Sequence, residues 1–325
     1  MKLFKKILSK LNGLHYPQEY LCLSKESFQQ PLYAYLTDGC RIIKDITNKH
    51  LFTGYSPLIF TLFSPSKDNQ ELSTHINIVF IHRSLQPNDL FEKKEAIASL
   101  FLKIIHKQSA GNTSFFYYEG VKGEHRFLSI IHQYIIGLNN KLYNKKPGNV
   151  FLTGNLYKQV QIAYSIPRLI SLITVSDGRL YNIFPTDLHG PVNEQYYVCS
   201  LRNEGKACYQ VEAAGRIVIS QVNCNAYKIV YLLGKNHMQE LKPKIDLPFS
   251  ESVSKIFKLP LPQPALYYRE LELMESFIHG IHKLLLFKIV SGHQVKDEPA
   301  TLAHIHNVYA SWRYKQKVSS NFLLR

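Results

Sequence analysis

Apolar positions recur in short blocks along most of the chain, and their period changes from place to place. Leu3, Phe4, Ile7, Leu8 and Leu11 share one face of a helix, with Lys2, Lys5, Lys6 and Lys10 opposite and Asn12-Gly13 as a natural stop. This basic amphipathic helix over residues 1–14 is expected to dock on its own domain, with an anionic membrane surface as the other reading. Residues 31–82 read as strands. "PLIFTLF" (Pro57–Phe63) and "HINIVFIH" (His75–His82) are apolar runs split by the turn-forming "SPSKDNQ".

Further on, Pro87-Asn88-Asp89 offers a helix cap, and Leu90, Ile97, Leu100, Phe101, Ile104 and Ile105 follow at helical spacing. That pattern predicts a helix. Another is predicted from Arg126 to Leu142, with Phe127, Ile130, Ile131, Tyr134, Ile135 and Leu138 on one face, and "NKKPGN" (Asn144–Asn149) then breaks the pattern as a linker. The chain therefore divides into the helix 1–14, an accessory α/β domain over 15–148, and a second domain over 152–325.

The second domain is strand-rich. "RLISLITV" and "RLYNIF" flank Asp177-Gly178 as a hairpin, and "EQYYVCSLR" alternates as the next strand. "GKACYQVEAAG" is a short helix closed by Gly215, "RIVISQVN" a strand, and "AYKIVYLLG" another short helix. "ALYYRELELMESFI" and "HKLLLFKIVSGHQV" are two long strands joined at His279-Gly280. Many short strands with few helices point to a closed barrel, in a mainly β (α+β) chain.

Composition narrows the class. In 325 residues, 45% hydrophobic and 19% charged side chains describe a globular protein, and 21 Tyr and 18 Phe supply a large core. Lys plus Arg number 39 against 24 acids, a net charge of +15 that suits anionic ligands or simply a basic surface. No arginine-glycine repeat or long basic block singles out nucleic acid. Five cysteines without a CxxC pair suit a reducing compartment, and no run approaches a membrane span or a secretory cleavage pattern, so a cytoplasmic location is expected.

There is no G-x-S-x-G elbow for a hydrolase, and no Walker or dinucleotide glycine fingerprint. The pairs His279/His282 and His304/His306 lack a carboxylate or cysteine at matching spacing, which argues against a metal. Cys199 alternates with Ser200 along a strand and is expected to face the core.

Between Leu180 and Arg202 the chain reads "LYNIFPTDLHGPVNEQYYVCSLR", strand-like at both ends and irregular in the middle. A backbone offering its N–H groups to a ligand cannot also use them in a sheet ladder, and proline and glycine suit such a passage. With "ESFIHGIHKLLLFKIVSG", this stretch resembles the flavin reductase-like proteins, which bind FMN in a split β-barrel. The resemblance runs from about Tyr157 to Tyr314.

It implies a flavoprotein whose FMN takes a hydride from NAD(P)H and passes electrons onward. Asn182 stands at the family's asparagine. Thr186, Asp187 and Leu188 stand in the loop facing the isoalloxazine. Ser200, Arg202, Lys206 and Ala207 stand where the family meets the phosphate and ribityl chain, and His282 is the histidine of its Gly-x-His. Pro191 stands alone where the family often has two prolines, and Ala207 replaces a frequent Thr or Ser.

The residues themselves also allow plainer roles. Asn182 and Asp187 can shape a turn, Arg202 and Lys206 can be surface cations, and His282 can be a structural histidine. The competing function is a non-enzymatic flavin- or partner-binding module on the same barrel. The family usually dimerises, which implies a homodimer or an internal pseudo-dimer here. In the latter case "GVKGEHRFL" echoes "FIHGIHKLL", and the first half is a degenerate second barrel.

Overall fold

The computed structural model describes residues 7–8, 10–11, 13, 20–23, 32–65, 73–143, 152–298, 301–315 and 322–324. They form two compact units, the first chiefly residues 26–167 with 305–321 and the second chiefly 168–304. Ile7, Leu8, Lys10 and Leu11 are helical, and Ile7 and Leu11 are exposed rather than packed. The rest of the N-terminal helix and the Asn144–Asn149 linker lie outside the described residues.

The first unit holds one antiparallel sheet of seven strands: β1 (Tyr33–Asp38), β2 (Arg41–Asp45), β3 (His50–Tyr55), β4 (Leu58–Pro65), β5 (His75–Ile81), β6 (Ala98–Ala110) and β7 (Thr113–His125). Their order is β2-β1-β5-β6-β7-β4-β3. The helix expected from Leu90 to Ile105 is not formed. Asn88 sits at φ 74, and Ile42 and Phe91 bond across to Asp89 and Cys40, which holds this segment extended against β2. Beyond it, Ala98, Leu100 and Leu102 alternate inward along β6, which pairs with β5 on one side and β7 on the other. The apolar residues here satisfy both periods over a short window, and two ladders outweigh one helix.

Two helices follow the sheet: α1 (Ile130–Tyr143) and α2 (Gly154–Ser165). α1 begins later than the pattern predicts. Phe127 is buried ahead of it, while Ile130, Ile131, Tyr134 and Leu138 are exposed. α2 packs on β7, so it belongs with the first unit although it follows the expected linker. Asn155 holds both backbone groups of Gly123, its Oδ1 accepting from the N–H at 2.6 Å and its Nδ2 donating to the carbonyl at 2.9 Å.

A Cβ at Gly123 would stand 2.8 Å from Gln159 Cγ and 3.0 Å from the Gln159 backbone, so helix and strand meet only because that carbon is missing. Gly123→Val is expected to destabilise the first unit by about 2 kcal/mol, as overpacking at a backbone contact does. Urea unfolding followed by circular dichroism measures this, and an unchanged midpoint would contradict the close-approach argument.

In the second unit the strands are β8 (Ser171–Ser176), β9 (Tyr181–Thr186), β10 (His189–Pro191), β11 (Tyr196–Arg202), β12 (Arg216–Val222), β13 (Ala265–His279) and β14 (His282–Gln294). Two short helices, α3 (Lys206–Ala214) and α4 (Tyr227–Leu233), sit where the sequence places them. The sheet order is β9-β8-β12-β13-β14-β11-β10, again antiparallel throughout. Among the described residues no ladder joins β9 to β10, so the sheet keeps two edges rather than closing.

Alternation sorts its side chains. Ile173, Val175, Phe184, Cys199, Ile217, Leu271 and Phe287 form one core with Ala207 and Val211 of α3. Leu172, Ile183 and Val222 face the other way, against Val230 and Leu233 of α4. Each such side chain contributes roughly 2 kcal/mol by leaving water. Cys199 is fully buried, as its alternation implies, and burial pushes its thiol up to about 12, so it stays protonated. Gly215, at φ 61, closes α3 with its N–H on the Val211 carbonyl at 3.0 Å. Among the described residues no helix is long and apolar enough to cross a membrane.

Candidate functional site

The irregular passage lies where two ladders stop. β9 pairs with β8 up to Thr186, opposite Ser171, and β10 pairs with β11 from His189, opposite Cys199. Asp187 and Leu188 fall between the two ladders. Leu188 is buried, and its carbonyl accepts the Ser200 N–H at 2.9 Å. Thr186 is buried at the strand end.

Asp187 is the electrostatic centre. Its Oδ2 accepts from Arg168 Nη2 at 2.9 Å and lies 2.9 Å from His304 Nδ1. Arg168 and His304 face each other on a short antiparallel pair, which aims both at the carboxylate. Burial alone would push the Asp187 carboxyl up, but the Arg168 charge and the His304 hydrogen bond outweigh it and hold it well below the usual carboxylate range. Its negative charge is felt at His189, His237 and His282.

Those three histidines are held neutral. His189 Nε2 lies 3.1 Å from the Leu169 carbonyl and donates to it, so its Nδ1 accepts the Tyr197 hydroxyl at 2.6 Å. The two rings stack at 5.8 Å, and burial lowers His189 to about 4. His282 Nδ1 lies 3.2 Å from Ser200 Oγ; burial first, and then the Arg202 charge, lower it to about 4. His237 Nε2 donates to the Pro185 carbonyl at 2.7 Å, its ring lies 4.9 Å from that of Phe184, and burial lowers it too.

Cations and helix end come next. Arg202 is exposed at the last position of β11, directly across the ladder from His282. α3 opens on Gly205 with no side-chain cap and no acid in its first turn. Within that turn the Cys208 N–H bonds the Gly205 carbonyl at 3.0 Å, and Ala207 and Cys208 are buried. Lys206, at the helix start, is half-exposed and pairs with Glu240. Ala207 is buried in the core, where a hydroxyl would face apolar neighbours.

Asn182 has a different place. Its Nδ2 donates to Gln210 Oε1 at 2.7 Å and to the Asn236 carbonyl at 3.0 Å, and its Oδ1 accepts the Ile183 N–H at 2.8 Å. Asn236 returns a bond from its Nδ2 to the Ile183 carbonyl at 2.9 Å. Asn182 is therefore a clamp joining β9, α3 and the turn Gly234–Met238.

Of the residues the sequence singles out, the fold thus gathers Asp187, Leu188, Ser200, Arg202 and His282, with Lys206 at the adjoining helix end. Sequence reasoning missed Arg168, His189, Tyr197, His237 and, as a partner of Asp187, His304. Only His189 carried a local signal, as a polar residue inside the "DLHGP" break. A separate open cleft of about 180 Å³, lined by Gln221, Tyr267, Arg269 and Glu298 among others, is smaller than the roughly 300 Å³ at which cofactor-sized sites begin.

The donor set fits the phosphate end of a flavin mononucleotide: an uncapped helix start with Arg202 and Lys206 beside it matches a dianion. The unladdered backbone at Asp187 and Leu188 fits a planar polar ring edge. The fold is mainly antiparallel sheet with few helices, as the sequence led one to expect.

Among solved structures, the chain is similar to an FMN-binding protein from Thermus thermophilus with bound p-hydroxybenzaldehyde, at 19% identity over 42% of this chain and 81% of that one, TM-score 0.38. It is also similar to an NADH:FAD oxidoreductase of Streptomyces globisporus C-1027, at 10% identity over 50% and 95%, TM-score 0.41. The styrene monooxygenase flavin reductase from Pseudomonas putida S12 matches at 14% identity over 46% and 93%, TM-score 0.38. These similar structures are an FMN-binding protein, an NADH:FAD oxidoreductase and a flavin reductase, and they cover 42–50% of this chain. No family model matches the chain, and no curated protein matches it.

Proposed function

We propose that the second unit binds FMN and serves an NAD(P)H-dependent flavin reduction or electron transfer. One observation carries the reading: an uncapped helix start flanked by Arg202 and Lys206, next to a backbone passage left out of both ladders. The flavin supplies hydride acceptance and onward electron transfer when bound.

The chain's own residues bind and orient. Arg202 and Lys206, at the end of β11 and the start of α3, hold the phosphate, and Lys206 is shared with Glu240. His282, neutral at pH 7, adds no cation and instead positions Ser200. The Asp187–Leu188 backbone meets the ring edge, and Arg168 with His304 keeps Asp187 turned away from proton transfer at neutral pH.

The test begins with the absorbance spectrum of the purified protein and a titration with FMN. Binding is expected with a flavin band, and Arg202→Ala is expected to weaken it about tenfold or more, since a hydrogen bond to a charged group contributes roughly 1.5 kcal/mol or more. A colourless protein that takes up no added FMN would defeat the reading. FMN retained without oxidation of NADH or NADPH across several acceptors would move it to a non-enzymatic flavin-binding module.

A further inference from the structure

We propose that the chain is an internal duplication of one seven-stranded scaffold in which only the second copy kept a ligand site, so that a single FMN binds per chain. The site part of this rests on the flavin reading above; the duplication rests on topology. Numbering the seven strands of each large sheet in chain order, both sheets run second, first, fifth, sixth, seventh, fourth, third. That permutation is one of very many for seven strands.

Irregularities repeat as well as order. In each unit a long hairpin turns on a left-handed glycine, Gly111 at φ 52 and Gly280 at φ 59, flanked by the closing pairs Ala110–Thr113 and His279–His282. In the first hairpin the ladder skips Ile105, five residues before Ala110, and Val121, eight residues after Thr113. In the second it skips Met274, five residues before His279, and Val290, eight residues after His282. Bulges are positioned features of a fold rather than defects. Two of them at matching distances from matching turns point to common descent.

The ladders then align the two copies residue by residue. Thr113 faces Pro65, and His282 faces Arg202. Counting back along β4 and β11, Leu62 matches Cys199, and these pair with His50 and His189. Phe60 matches Tyr197 in the same way. His50 stacks on Phe60 at 5.0 Å and 9°, and His189 stacks on Tyr197 at 5.8 Å and 13°. Each histidine also reaches a backbone carbonyl, Ile46 at 2.8 Å and Leu169 at 3.1 Å, and each is lowered by burial. The buried histidine on an aromatic ring is thus part of the scaffold.

What the copies do not share marks the ligand site. Where the second has Ser200, Arg202 and His282, the first has Phe63, Pro65 and Thr113. Proline lacks the N–H, and none of the three carries charge. Arg41, at the position of Asn182, faces Asp38 at 3.6 Å. The chain serves as its own comparison: common features hold the sheet, and features of one copy alone recognise the anion.

The test is binding stoichiometry on the full chain, stripped of flavin and titrated with FMN by calorimetry, with molar mass from sedimentation fixing the number of chains. One FMN per chain is expected. Arg202→Ala and Arg202→Gln should each weaken binding about tenfold or more, while Thr113→Ala and Pro65→Ala leave affinity within about twofold; circular dichroism confirms that each variant is folded. Two FMN per chain, or an affinity lost with the first-unit variants and kept with those at Arg202, would overturn the single-site inference and leave the flavin reading standing. No binding by the unsubstituted chain would overturn the flavin reading itself, and the single-site inference with it.

Discussion

Arg168→Met is expected to lower the stability of the second unit by about 3 kcal/mol, the usual scale for stranding one member of a buried ion pair. The Arg168 side chain is only 8% exposed and that of Asp187 26%. Asp187 is ionised in the fold because Arg168 stands 2.9 Å away, and His304 alone is a weaker substitute. Without the guanidinium, the burial that already pushes this carboxyl upward prevails, and Asp187 must either take a proton or remain a poorly solvated charge. Methionine keeps much of the stem volume, so lost packing does not dominate. Asp187→Asn in the same chain should recover part of the loss, giving a coupling of about 1 kcal/mol or more in a double-mutant cycle. Chemical denaturation of the four proteins settles it: additive effects, or a single-variant loss under about 0.5 kcal/mol, would show that the pair is ornamental.

The same ion pair shows where sequence reading stops. The long hairpin Ala265–Gln294 is legible because its residues alternate over a dozen positions and a glycine marks the turn. α3 is legible because Gly205 and Gly215 bracket it. The segment Leu90–Ile105 is not, since its apolar residues fit a helix as well as a strand, and only the neighbours β5 and β7 decide. Site residues divide along similar lines. Asp187 and Ser200 are recognisable as polar residues in unusual local settings. The partners of Asp187 come from positions 168 and 304, and nothing local to either says that they converge. Asn182 misleads for the opposite reason. Its place in the pattern suggests a ligand contact, yet its amide is committed to Gln210, Asn236 and Ile183. Even the repeated sheet is nearly silent in sequence, because a scaffold tolerates Phe60 for Tyr197 and Leu62 for Cys199 as long as size and burial are kept.

Acidification from pH 7 to pH 4.5 is expected to destabilise the chain strongly, well before its carboxylates titrate. Five histidines, His50, His125, His189, His237 and His282, are all lowered by burial, and His189 and His282 reach about 4. Above pH 6.5 both folded and unfolded chains carry these rings neutral, and the stabilisation is fully present. As the pH falls through 6.5 the unfolded chain takes up protons that the folded chain refuses, so stability drops until the pH passes the folded value near 4. For His189 and His282 the window of about 2.5 units corresponds to roughly 3 kcal/mol each. Asp187 acts in a lower window: its carboxyl is depressed in the fold, so its contribution persists above the ordinary carboxylate value and is lost only below it. The loss of stability should therefore come in two steps, histidines first. Unfolding midpoints in urea between pH 7.5 and 4 measure the first step, and His282→Gln should make it shallower without changing the second. A flat profile between pH 7 and 5 would mean that these rings are hydrated in solution. The neutral His282 assumed for the site would then fail as well, leaving a second cation beside Arg202 and a steeper pH dependence of anion binding than Arg202 alone can give.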